Sequence, residues 1–105
     1  MEPRITARHF SLSNDLRNFV NDRVAKLEQY YNGITDAHVI LDIENGRPNS
    51  RYSAEAILTV YRQTLSAQDS ADSHETALDN CVEGLRRQLL RYKGKLKDTA
   101  KHYHK

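Results

Sequence analysis

Arg86, Arg87, Arg91, Lys93, Lys95, Lys97 and Lys101 crowd the last fifth of this 105-residue chain. Side chains of this kind hold phosphate by charge, and arginine also does so through paired hydrogen bonds. Gly84 to Lys105 contains eight Lys or Arg residues and one acid, Asp98. That stretch carries about +7, so the rest of a chain with net charge +2 carries about −5. Such polarity calls for a polyanionic partner. The same cations surround an apolar row, Leu78, Cys81, Val82, Leu85, Leu89, Tyr92 and Leu96. The row falls within about 60° of one helix line at about 100° per residue. The charge is therefore expected on a folded helix, which suits a folded RNA surface. Cations late in a helix also complement its carbonyl dipole, as Asp79 and Glu83 complement the opposite end. The dipole does not account for eight bases against one acid.

Other chemistries are poorly provided for. Cys81 lies on the apolar stripe with no base placed for it, and reads as a small buried hydrophobe. As the single cysteine it forms no intrachain disulfide and no thiol-rich metal cage. His102 and His104 diverge on a helix, so their spacing is not that of a metal pair. His74 and Glu75, near Asp69 and Asp72, read as polarity at a helix start, and there is no glycine-rich phosphate loop or activated-serine motif. No catalytic residue, metal or cofactor is expected. Tyr30, Tyr31 and Tyr92 lie on or near core stripes and are assigned to packing, whereas Leu90 falls off the stripe as a surface leucine. Tyr52, Tyr61 and Tyr103 are left unassigned.

The elements that must position these residues follow from periodicity. Arg4 to Phe10 alternates as a short strand. Ser13 is an N-cap candidate ahead of Leu16, Phe19, Val20, Val24, Leu27 and Tyr30 or Tyr31, a helix that Asn32-Gly33 stops. Asp36 to Glu44 alternates with Val39, Leu41 and Ile43 on one face, and Asn45 to Arg51 reads as a loop. Ala54, Ala56, Leu58 and Val60 form the buried side of a third strand, Arg62-Gln63 a turn, and Thr64 to Asp69 a short fourth strand. A final helix starts near Ser73 and runs to about Tyr103, long enough for its basic end to overhang the sheet. The order β-α-β-β-β-α makes an α+β sandwich, a four-stranded sheet with two helices on one face. The length suits a single domain over 1–105, and the start Met1-Glu2-Pro3-Arg4 has no signal region, so a cytoplasmic protein without a membrane segment is expected.

Several stretches carry a family resemblance. They are Ile5-Thr6-Ala7-Arg8; Leu16-Arg17-Asn18-Phe19-Val20 with Arg23 and Lys26-Leu27-Glu28-Gln29-Tyr30-Tyr31; Ala77-Leu78-Asp79; and Leu85-Arg86-Arg87-Gln88-Leu89 with Arg91, Lys93, Lys95 and Lys97. In this order they resemble the short ribosome hibernation promoting factors, the family of ribosome-associated inhibitor A (protein Y), also called sigma-54 modulation proteins. The resemblance implies a fold like that of a double-stranded RNA-binding domain. It also implies binding to the small ribosomal subunit and its rRNA, in the channel used by messenger and transfer RNA. Translation then stops and idle ribosomes are stabilised.

Carried over by resemblance, Arg23 and Lys26 on the first helix and Arg87, Arg91, Lys93, Lys95 and Lys97 on the second are the expected rRNA contacts. Arg86 joins them from the charge row itself. The chain departs from the family pattern at Gly84, Arg86 and Ser73, and shows neither the acidic tail of protein Y nor a second, dimerising domain. A monomer when free is expected, with a ribosome modulation factor as a partner in some bacteria. Two other readings are a general structured-RNA-binding module acting away from the ribosome, and a membrane-surface or protein-binding helix. The last would need the apolar stripe free, and the sheet is expected to claim it. Arg47, Arg51 and Arg62 fall in segments expected on the far side of the RNA surface.

Overall fold

The structure, a computed structural model, describes the backbone at residues 2–44 and 51–103 and the side chains up to residue 95. The elements are β1 (Arg4–Arg8), α1 (Asn14–Leu27), β2 (Asp36–Ile43), β3 (Tyr52–Val60), β4 (Gln63–Ala71) and α2 (His74–Tyr103), in the expected order. They build one sheet in the order β1-β2-β3-β4, with β1 parallel to β2 and the other pairs antiparallel. A parallel pair needs a crossover, and α1 supplies it.

The period of two along the strands decides which face is covered. Ala37, Val39, Leu41, Ala54, Ala56, Leu58, Val60 and Leu65 are each at most 3% exposed and face the helices. The register sets large against small: Leu41 opposes Ala54, Val39 opposes Ala56, and Leu58 opposes Ala37. That alternation leaves room for helical side chains above the small residues. The open face carries Thr6, His38, Ile40, Glu55, Ile57, Ser66 and Gln68, with Thr6 Oγ1 and His38 Nε2 2.8 Å apart.

Local chemistry fixes the helix ends. The Leu16 N–H donates to Ser13 Oγ at 3.1 Å, as expected of an N-cap. At the other end Glu28, Gln29 and Tyr30 donate to carbonyls three residues back, so α1 tightens and stops at Leu27 rather than continuing to the tyrosines. Tyr31 then folds over Gly33 so closely that a Cβ there would lie 2.5 Å from the ring. Ser73 Oγ accepts from the Thr76 N–H at 3.1 Å and caps α2. Leu78, Cys81, Leu85, Leu89 and Tyr92 are buried as expected, with Val82 half-buried and Leu90 exposed. Tyr92 is the last buried residue among those whose side chains are described, and Lys93, Gly94 and Lys95 are all exposed.

Four expectations need correction. His9, at φ 69°, turns the chain out of β1 before Phe10. The β3–β4 turn is Tyr61-Arg62, closed by the Val60–Gln63 pair, not Arg62-Gln63. Pairing along all of β3 extends β4 to Ala71 despite its polar composition. His74 is buried: its ring stacks on Phe10 at 4.6 Å, meets Tyr52 edge-on at 5.0 Å, and places Nε2 2.8 Å from the Asp42 carbonyl. The loop expected at Asn45 to Arg51 lies outside the described residues except for Arg51. No helix among the described residues is long and apolar enough to cross a membrane.

A charged pin joins the helices. Arg23 Nε donates to Asp79 Oδ1 at 2.7 Å, another of its nitrogens reaches Asp22 at 2.7 Å, and its guanidinium lies 4.3 Å from the Phe19 ring centre. Replacing Arg23 by Ala is expected to lower the melting temperature, and adding Asp79→Ala to that variant to lower it little further. Additive losses in the four-member cycle would show that the pair does not couple. Cys81 gives a second check. Burial pushes its thiol up to about 12, and its Sγ–H donates to the Ala54 carbonyl at 3.3 Å. Alkylation of the native protein at pH 8 is expected to run roughly a thousand-fold slower than for a free thiol, and to become fast in denaturant.

Candidate nucleic-acid interface

The buried stripe of α2 sets the direction of every other side chain on it. At about 100° per residue, Arg86 and Lys93 turn to the α1 side, Arg87 turns outward, and Arg91 and Lys95 turn to the β4 side. Contacts agree with this geometry. Arg86 lies 5.9 Å from the Tyr30 ring centre, and Lys93 shares an open depression with Glu28, Gln29, Tyr30, Tyr31 and Asn32 at the end of α1. On the opposite flank Arg91 and Lys95 line a cleft with Gln63, Leu65, Gln88 and Tyr92.

The structure thus brings Arg86, Arg87, Arg91, Lys93 and Lys95 onto one helix, with Arg23 and Lys26 on the helix beside it. It divides them by their engagements. Arg23 is held by Asp79 and Asp22. Arg86 donates through Nε to Glu83 at 3.0 Å, and this bonded guanidinium holds the Glu83 carboxyl below the usual carboxylate range. Arg87 is only 3.7 Å from Glu83 and two-thirds exposed, and Lys26 is 3.8 Å from Asp22. Arg91 and Lys93 are exposed and make no ion pair among the described residues. Lys97 lies on α2, but its side chain is outside the described residues.

Tyr30 is placed differently from the sequence reading, and the unassigned Tyr61 acquires a position. Tyr30 is 37% exposed beside Arg86, because α1 ends before it could join the core stripe. Tyr61 is 63% exposed at the tip of the β3–β4 turn. Arg62, expected on the far side, follows it there and immediately precedes Gln63 of the Arg91 cleft. Tyr92 connects both flanks: its ring meets Tyr31 edge-on at 5.4 Å, and its hydroxyl donates to the Tyr61 carbonyl at 2.7 Å. A strand ending in Tyr next to Arg was the only signal available for this tip.

Comparison with known proteins places this geometry. A family model described as Sigma 54 modulation protein / S30EA ribosomal protein matches residues 4–97. The chain is 32% identical over 97 residues to the ribosome hibernation promoting factor of Escherichia coli K12, covering 92% of this chain and 98% of the relative. It is 33% identical, with the same coverage, to the protein of that name from Salmonella typhimurium. In fold it is similar to a ribosomal subunit interface protein from Coxiella burnetii, with a TM-score of 0.79 at 21% identity over 90% of this chain and 99% of that one. The N-terminal domain of Thermus thermophilus Protein Y gives a TM-score of 0.76 at 20% identity over 88% and 99%. From β1 to the basic row of α2, the chain belongs to the Sigma 54 modulation protein / S30EA ribosomal protein family.

Proposed function

We propose that this protein is a ribosome-associated hibernation factor. It acts as a single ribosome-binding domain, monomeric when free, in the cytoplasm. It binds small-subunit rRNA in the channel used by messenger and transfer RNA, blocks translation and stabilises idle ribosomes, with a ribosome modulation factor as a further partner where one exists. Family membership and relatives named ribosome hibernation promoting factor support this reading.

The observation that carries it is the state of the cations on α2. Arg91 and Lys93 project into solvent without a carboxylate partner among the described residues, and Arg87 is held only loosely. Three acids of the two helices are already engaged, Asp79 and Asp22 by Arg23 and Glu83 by Arg86, while Glu28 shares the depression with Lys93. Phosphate approaching this face therefore meets Arg87, Arg91 and Lys93 with Asp22, Asp79 and Glu83 already drawn to Arg23 and Arg86. Lys and Arg contacts of this kind give affinity and register, while RNA shape and exposed bases give specificity.

Replacing Arg87, Arg91 and Lys95 together by Glu is expected to abolish pelleting with small subunits and inhibition of translation while preserving circular dichroism and melting. Arg8→Glu with Ser66→Glu, on the open sheet face, is the control and is expected to bind as wild type. A folded helix variant that still pellets would overturn the reading. Salt supplies an independent check. At constant magnesium, log affinity against log salt is expected to fall with a slope of several units, since each phosphate contact displaces counterions. Equal affinity for a free RNA hairpin and for small subunits would favour a general RNA-binding module instead.

A further inference from the structure

The β3–β4 turn has more built into it than a strand connection requires. Arg62 adopts the left-handed backbone, at φ 64°, that a tight hairpin turn requires of one of its residues, here an arginine where glycine or asparagine is usual. Its guanidinium lies 5.2 Å from the Tyr61 ring centre, covering one face of a side chain that is 63% exposed. The turn is also anchored, because the Tyr92 hydroxyl donates to the Tyr61 carbonyl at 2.7 Å across 31 residues of sequence. An exposed aromatic residue is thus anchored through its backbone carbonyl to α2, with a cation over its ring.

Beside it lies the cleft between α2 and the start of β4, of about 250 Å³. Its floor is the buried Leu65 and Tyr92, its wall Gln63 and Gln88, and its rim Arg91 and Lys95. Gln88 is held in place by donating to the Ser66 carbonyl at 2.8 Å. Pockets that enclose a whole drug-sized ligand run to roughly 300–1,000 Å³, so this one suits a single base or sugar-phosphate that remains attached to a larger partner. An apolar floor, an exposed planar ring and Arg91, which has no carboxylate partner among the described residues, match the three parts of a nucleotide: base edge, base face and phosphate.

We infer that the Tyr61-Arg62 turn and this cleft form a single-nucleotide site, in which one unstacked base of the bound RNA lies on Tyr61 and its phosphate meets Arg91. This deepens the proposed rRNA binding and rests on it. A continuous duplex keeps its bases stacked and offers none to Tyr61, so the site selects a loop, bulge or single-stranded segment. It also extends the contact surface from the two helices to the sheet edge.

The protein has no tryptophan, so Tyr61→Trp introduces its one tryptophan at the proposed stacking position, its emission read as the difference from wild-type protein under the same additions. Its emission is expected to be quenched by more than half when small subunits are added, with pelleting of the same sample confirming binding. Adding Arg91→Ala should weaken both signals together. Tyr61→Ala is expected to bind small subunits about ten-fold more weakly at unchanged melting temperature, within the range that loss of one base–aromatic stack produces. If the Trp variant pellets but its emission is unchanged, or Tyr61→Ala binds like wild type, no base stacks there and the inference falls while the helix interface stands. A blue shift without quenching marks burial against a ribosomal protein and overturns it equally. If the wild-type protein does not pellet at all, the ribosome-binding reading has failed and this site fails with it.

Discussion

Burial of one narrow stripe on α2 is the constraint from which the rest of this structure follows. Leu78, Cys81, Leu85, Leu89 and Tyr92 pack toward the sheet, and Leu78, Leu85 and Leu89 are completely buried. A helix turns about 100° per residue, so seating these five fixes the bearing of every neighbour. A rotation of one position would carry cations such as Arg86 toward the core, where an unpaired charge is very costly. The direction of the basic row is therefore enforced by the hydrophobic effect, and its charge needs no partner in the protein to hold it there.

Electrostatics then sorts the cations. Arg23 and Arg86 are drawn into short bonds with acids on the helices, and Arg23 also stacks on Phe19. These pairs orient long side chains and neutralise Asp22, Asp79 and Glu83, the carboxylates that would otherwise repel an approaching polyanion. The exposed Arg86–Glu83 pair adds little to stability, and Arg23, also packed on Phe19, adds more. Their larger effect is on the field above the surface, where Arg87, Arg91 and Lys93 are left to dominate.

Tyr92 joins the parts. Six per cent exposed, it closes the described core of α2, meets Tyr31 after α1 and holds the Tyr61 carbonyl of the β3–β4 turn. One side chain thereby couples the end of the first helix, the second helix and the sheet tip: it lines the cleft beside Arg91, and its ring partner Tyr31 lines the depression beside Lys93. The cooperative cost of leaving its hydroxyl unbonded ties the turn to the helix.

Periodicity and composition alone determined the element order, the buried faces of β2 and β3, the Ser13 cap, the start of α2 near Ser73, the α2 stripe and the basic row beside it, because each depends on spacing within one element. Those same signals were blind to pairings between elements. Nothing in the spacing of Arg23 announces Asp79, 56 residues away. The alternation of β3 and β4 is the same whether the turn is Tyr61-Arg62 or Arg62-Gln63, since either keeps Leu65 on the helix face; only the Val60–Gln63 pairing exposes Tyr61. Tyr30 looked like a core residue until three tight hydrogen bonds ended α1 before it. His74 looked like surface polarity until Phe10 and Tyr52 closed over it. Which face is charged was written locally in the chain, while which cations remain available, and which aromatic rings stand beside them, was decided by contacts that exist only once the helices and sheet have packed.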